Sequence, residues 1–261
     1  MISIIFLSLF IAVMAFCGYS FRLLTMSGSI AAFFVGLAVS LGFGIKGLII
    51  LGFFFASSSY WSKYKKRNKV EIEGRHEKGS RRDWQQVAAN GGTAALFSLL
   101  YLIFPKTMWI IGFAISLAAA NSDTWASEIG SLSKRRPFFI RTFKPIDAGT
   151  SGAVSLLGTF AAISGAFTIS LLAFYFFHLT IIEAAVIFVF GFVGNLIDTV
   201  LGAFTQAVYR CNVCKIEVEA LSHCGKKTTF IRGVPFMNND FVNYSSGLVA
   251  ALLGILFVWI K

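Results

Sequence analysis

The chain has 261 residues, of which 56% are hydrophobic and only 13% charged, whereas an ordinary soluble domain is about 25% charged. With 16% aromatic residues and a mean hydropathy of +0.75, the composition excludes a typical soluble domain. It points to an all-α, polytopic transmembrane helix bundle in which the whole of 1–261 forms a single integral-membrane domain solvated by the lipid bilayer.

A span needs about 20 mostly apolar residues. The apolar runs place eight helices near 1–20, 26–44, 46–60, 84–104, 107–126, 152–177, 181–208 and 241–260. No clear small-residue cleavage site follows the first run, so it is expected to be a retained helix and not a signal peptide. Gly42, Gly44 and Gly47 mark the turn between the second and third helices, and Pro105 marks the one between the fourth and fifth.

Three polar segments hold most of the basic residues: nine Lys or Arg in 61–83, five in 131–151 and five in 209–240, out of 23. With eight helices all three fall on one side. The positive-inside rule then makes these loops cytoplasmic and puts both termini outside, in what is expected to be a bacterial cell membrane. The net charge of +11 is read as topology and contact with anionic headgroups. No nucleic-acid module is present, so no nucleic-acid partner is expected, and no protein partner is identifiable.

Polar groups are costly within a membrane, about 2.5–3.5 kcal/mol for an Asp at a helix centre. Asp123, Asp198, Gln86, Asn90, Asp147, Asn239 and Asp240 nevertheless all approach the cytoplasmic ends of the expected helices. A cluster on one face points to a site on that face. Gly194, Asp198 and Gly202 are spaced by four and share a helix face, as do Ala119, Asp123 and Ser127, so small residues flank each acid and permit close helix approach. Asp123 and Glu128 are five apart, which separates them by about 140° on an ideal helix. Either the helix ends between them or they have separate tasks. Oxygen donors of this kind suit Mg²⁺ shared with substrate phosphates; solvated helix ends are the alternative reading.

"KPIDAGTSGAVSLLG", from Lys144 to Gly158, reads as an anion-binding helix start. Gly149 and Gly152 allow close backbone approach, Thr150 and Ser151 could cap the helix or touch phosphate, and Lys144 could reach the same anion. In "RCNVCKIEVEALSHCG", Cys211, Cys214, His223 and Cys224 offer four ligands. In a reducing compartment these suit a small structural Zn²⁺ insert better than a disulfide, with chance clustering or redox chemistry as alternatives.

"RRDWQQVAANGG", "NSDTWASEIG", "DAGTSGAVSLLGT" and "GNLIDTVLGA", in this order, resemble the transmembrane protein 19 (domain-of-unknown-function-92) family, which includes plant phytyl-phosphate kinase. The resemblance runs from "LTMSGSIAAFFVG" to "NNDFVNYSSGLVAALLG". It implies a membrane-embedded, Mg²⁺-dependent kinase that transfers phosphate from a nucleotide, CTP, to an isoprenyl monophosphate of phytyl or polyprenyl type. It further implies that Asp123 and Asp198, with Glu128, hold Mg²⁺, and that Lys144 with the amides of Gly149, Thr150, Ser151 and Gly152 meets phosphate. Arg82, Gln86, Asn90, Asn121, Asn239 and Asp240 are then expected to line the nucleotide mouth. A looser likeness to polyprenol kinases and phosphatidate cytidylyltransferases departs at Asp147, where Ala148 precedes Gly149. Two other readings stay open: a transporter with an acidic intramembrane site, and a CTP-dependent cytidylyltransferase making a CDP-lipid. There is no Walker A motif and no protein-kinase motif.

Overall fold

The computed structural model describes residues 2–65, 78–79 and 81–260. Most of the basic 61–83 segment therefore lies outside the described residues. Seven helices occur among the described residues, not eight: α1 Ile2–Ser20, α2 Met26–Lys63, α3 Trp84–Ile103, α4 Thr107–Gly130, α5 Leu156–Phe177, α6 Ile181–Phe204 and α7 Asn239–Ile260. Five of them (α2, α3, α5, α6 and α7) are long and apolar enough to cross a membrane. The fold is mostly helical, as expected.

The difference in count arises at Gly44. The expected second and third helices are one helical segment of 38 residues with no intervening loop, broken only where Gly44 takes φ 59° and ψ −147°. A left-handed φ favours glycine because a Cβ would clash there. The break reverses the chain. A straight helix of that length would extend about 57 Å, yet Lys63 Nζ in its last turn donates to the Phe21 carbonyl at 3.1 Å, five residues before its start. The first half runs beside α3, with Gly42 against the Ser98 backbone and Gly28 against Arg82. The second half runs beside α4, where Ser57 Oγ donates to Asn121 at 3.1 Å and Ser62 Oγ to Glu128 at 2.6 Å. At the reversal, Phe43 packs on Tyr101, Phe113 and Phe177 with ring centroids 4.8, 4.7 and 5.3 Å apart.

Side-chain polarity follows the bilayer. Large apolar residues such as Phe6, Phe160 and Tyr175 face outward, and the buried core mixes small residues such as Ala118, Ala162 and Ala250 with Phe97, Phe113 and Ile111. At the end of the bundle opposite the Phe43 cluster, two connections carry short antiparallel strands. β1 Phe138–Phe139, β2 Lys144–Pro145 and β3 Ala153–Val154 form a sheet in the order β2-β1-β3 between α4 and α5. Between α6 and α7, β4 Val208–Arg210, β5 Glu217–Val218 and β8 Thr229–Arg232 form a second, in the order β5-β4-β8, while β6 Ser222–His223 and β7 Lys226–Lys227 make a hairpin. The sixth expected helix accordingly starts at Leu156 and not at 152, and the seventh ends at Phe204 and not at 208.

Candidate functional site

Several parts of the chain meet around a cavity of about 340 Å³ at this sheet-bearing end of the bundle. Its acids are Asp123 and Glu128 from α4, Asp198 from α6, Asp240 from α7 and Glu219, just after β5; its bases among the described residues are Lys78 and Arg82.

Asp123 and Asp198 come together through packing one turn earlier. A Cβ on Gly194 would lie 2.4 Å from the Ala119 Cβ, so α6 and α4 touch almost backbone to backbone there. Both acids sit four residues further along helices that run the same way, which carries both into the cavity. Thr124 and Thr199, which follow them, make the same bond: each Oγ1 donates at 2.8 Å to the carbonyl four residues back, of Ala120 and Asn195 respectively. Asp198 accepts from Ser246 Oγ at 3.0 Å. Asp123 has no hydrogen-bond or ion-pair partner among the described residues, and its carboxylate repels that of Asp198. Glu128 lies on the same continuous helix, which ends only at Gly130, so no helix break separates it from Asp123. It takes a separate place, accepting from Ser62 Oγ at 2.6 Å and facing the Arg82 charge.

The second wall is the strap before α3. Arg82 pairs with the start of α2, its N–H donating to Leu23 O at 3.0 Å and its carbonyl accepting from Thr25 N–H at 2.9 Å. Burial lowers its guanidinium to about 10, and Glu128 opposes the shift, so it stays cationic at neutral pH. Lys78 bridges Asp83, at 2.9 Å, and Asp240, tying the strap to the first turn of α7. Burial disfavours the Lys78 charge, but the bonds to Asp240 and Asp83 outweigh it and raise its pKa. Asp83 caps α3, accepting from Gln86 N–H at 2.9 Å, while Gln86 Oε1 accepts from Asp83 N–H at 3.1 Å. Burial raises the Asp83 carboxyl, yet the Gln86 N–H and Lys78 together hold it below its ordinary value.

The third wall is the turn over 149–152. Gly149 and Gly152 both have φ 83°, and a Cβ on Gly152 would lie 2.4 Å from the Ala203 Cβ. Thr150 Oγ1 donates to the Asp147 carbonyl at 3.0 Å, and Ser151 Oγ donates to Glu219. Here the expectation of a helix start is corrected. Ser155 caps α5, accepting from Gly158 N–H at 3.0 Å, so Thr150 and Ser151 are freed from capping and the turn lies ahead of the helix.

Of the residues singled out from sequence, Asp123, Glu128, Asp198, Arg82, Gln86, Asn90, Gly149, Thr150, Ser151, Gly152, Asn239 and Asp240 all line the cavity. Two do not. Lys144 is exposed in β2, the edge strand of its sheet, and lies off the lining. Asn121 is fully buried between helices, its Nδ2 donating to Gly165 O at 2.9 Å and its Oδ1 accepting from Ser57. Lys78, Glu219 and Asn243 were missed. Asn243 Oδ1 is buried without a hydrogen-bond partner among the described residues. Lys78 is one of nine basic residues in its segment, and nothing local distinguishes it; Glu219 lies in a polar loop, and no local pattern marks it as reaching the cavity.

Residues 9–251 match the family described as Integral membrane protein DUF92. The chain belongs to this family. Protein PGR of Arabidopsis thaliana is 30% identical over 96% of this chain and 94% of its own length. An uncharacterized membrane protein of Methanocaldococcus jannaschii is 31% identical over 95% of this chain and 91% of its own. Protein VTE6, chloroplastic, of Arabidopsis thaliana is 28% identical over 91% of this chain and 68% of its own. No solved structure matches.

Proposed function

We propose that this member of the DUF92 family is a membrane-embedded nucleotide kinase acting on an isoprenyl monophosphate, with CTP as donor. The observation that carries the proposal is the composition of the cavity. Five carboxylates face two cations and a turn with two left-handed glycines, at one end of a helix bundle. The excess of carboxylates fits a divalent cation, and Asp123 in particular has no donor among the described residues. Hard oxygen donors of this set suit Mg²⁺, held by Asp123 and Asp198. Bound there, it would neutralise charge on the nucleotide phosphates.

In the reaction, an oxygen of the prenyl monophosphate attacks the terminal phosphorus of the nucleotide. The bond to the bridging oxygen breaks, and a prenyl diphosphate and a nucleoside diphosphate are formed. Arg82, anchored by its backbone and held charged, offsets negative charge on the transferring group. Lys78 holds Asp240 and Asp83 and so closes the strap over the site. The backbone amides of 149–152 face the phosphates, while the Thr150 and Ser151 hydroxyls hold the turn itself. Phe192 and Leu196 extend the cavity wall to the lipid-facing side of α6, where Leu196 is exposed, which gives a prenyl tail an apolar approach. The basic residues of 131–151 and 209–240 lie at this same end, and the positive-inside rule makes it cytoplasmic, where nucleotides are abundant.

The test is purified protein in detergent with Mg²⁺, labelled CTP or ATP, and a panel of prenyl monophosphates. Prenyl diphosphate together with nucleoside diphosphate is the expected product. Failure to form it with every donor overturns the proposal, and a CDP-lipid with released diphosphate would identify a cytidylyltransferase in its place.

A further inference from the structure

Between β4 and β8 the chain forms a small lobe outside the helix bundle, and of its residues Glu219 alone lines the cavity. Cys211, Cys214, His223 and Cys224 bring one ligand atom each within 4.8 Å of one another. Cys214 Sγ lies 3.8 Å from Cys224 Sγ and 3.4 Å from His223 Nδ1, and Cys224 Sγ lies 3.2 Å from the same nitrogen. A tetrahedral ion with Zn–S of about 2.3 Å and Zn–N of about 2.0–2.1 Å would set sulfur–sulfur edges near 3.7 Å and sulfur–nitrogen edges near 3.5 Å. A disulfide would need about 2.05 Å.

The backbone is shaped to the same end. After Cys211 the chain makes a tight knuckle: Val213 N–H donates to Cys211 Sγ at 3.4 Å, and Lys215 turns back with φ 65°. The second pair has a matching reversal, with φ 52° at Cys224 and 72° at Gly225. These left-handed residues make two tight reversals, the second the two-residue loop of the β6–β7 hairpin, and so bring the two ligand pairs together. Three thiol ligands and one imidazole select zinc over the hard cations.

Glu219 sits on the segment that joins the two ligand pairs. It follows buried Val218, whose strand pairs with Tyr209 beside Cys211, and it precedes the β6–β7 hairpin that carries His223 and Cys224. It also accepts the hydrogen bond of Ser151 from the turn over 149–152. We propose that Cys211, Cys214, His223 and Cys224 bind one structural Zn²⁺, and that this zinc lobe clamps Glu219 onto the turn over 149–152. The zinc site stands whether or not the chain is a kinase; only the value of the clamp to catalysis rests on that reading.

Elemental analysis of protein purified without chelator should find about one zinc per chain. Cys214→Ser is expected to lose it, His223→Cys to keep it, and Cys17→Ser, outside the lobe, to leave it unchanged. A parent protein that holds no zinc and takes up neither added Zn²⁺ nor Co²⁺ overturns the site, as does iron in its place. Because Cys214→Ser could fail to fold, the clamp is tested on the parent by amide exchange with and without a thiol-compatible chelator. Faster exchange in 211–224 and also in 149–152, with α3 unchanged, is the expected result. A rise confined to 211–224 overturns the clamp. Neither readout uses turnover, so kinase failure and zinc failure are separately visible.

Discussion

Asp123 and Asp198 are the residues on which the proposed chemistry turns. Each stands in an apolar helix, which is costly, and each repels the other, which adds to the cost. Replacing either by Asn keeps the shape and removes one of the opposed charges. Asp123→Asn and Asp198→Asn are therefore expected to leave thermal stability unchanged or raised, while lowering the rate of prenyl-phosphate phosphorylation by at least about 100-fold. Activity and thermal unfolding measured on the same detergent samples check both halves. The acid pair was legible in the sequence because each carboxylate interrupts an apolar run with small residues one turn away. The distance of Lys144 along the chain from the Gly-rich turn says nothing about its place on an exposed edge strand, off the cavity. Asn121, expected at the mouth from the family resemblance, is instead used in helix packing through its amide, which meets Gly165 and Ser57.

At the level of elements, the strap before α3 and the first turn of α7 are joined by Lys78 with Asp83 and Asp240. The linkage has a definite sign on each side. Asp83 is held below its ordinary value of 3.8, so its contribution is present above that pH and is lost as pH falls through the lower, folded value. Lys78 is raised above 10.5, so its contribution is complete below that pH and is lost as pH rises through the higher, folded value. Lys78→Met is expected to lower the melting temperature relative to the parent across the interval between those limits, with the difference shrinking at either extreme. Equal melting curves at neutral pH would show that the strap is held by other contacts. Helix approach can be tested in the same way. Gly194→Leu forces a side chain into Ala119 and is expected to destabilise by about 1–3 kcal/mol, the usual cost of overpacking. It should also reduce activity by spreading Asp123 from Asp198, which a chemical-denaturation series paired with turnover would report.

For the whole molecule, the reversal at Gly44 decides where everything else stands. It lets one helical segment run both ways, so that α3 and α4 each find a half of α2 beside them and Ser62 reaches Glu128 at the end where Arg82 stands. Paired cysteines in Phe21→Cys/Lys63→Cys protein are expected to cross-link readily, whereas a straight α2 would place these positions more than about 50 Å apart. Absence of a cross-link with a short bifunctional reagent would contradict the reversal. Labelling of single cysteines in 131–151 and 209–240 from one side of sealed vesicles checks that both loops share a face.

Composition with the long unbroken apolar runs determined that the chain is a helical membrane protein, because in lipid such a run satisfies its backbone polar groups only as a helix, whereas a barrel needs short strands of alternating polarity. The runs and their charged gaps gave the spans almost completely, and the alternation of basic segments gave the shared face, since both are properties read along one dimension. The tertiary structure alone decided which polar groups meet. Lys78 and Asp240 are 162 residues apart, and Ser151 and Glu219 are 68 apart. No local pattern marks such pairs, because their contact depends on how three helix ends and two small sheets pack against one another.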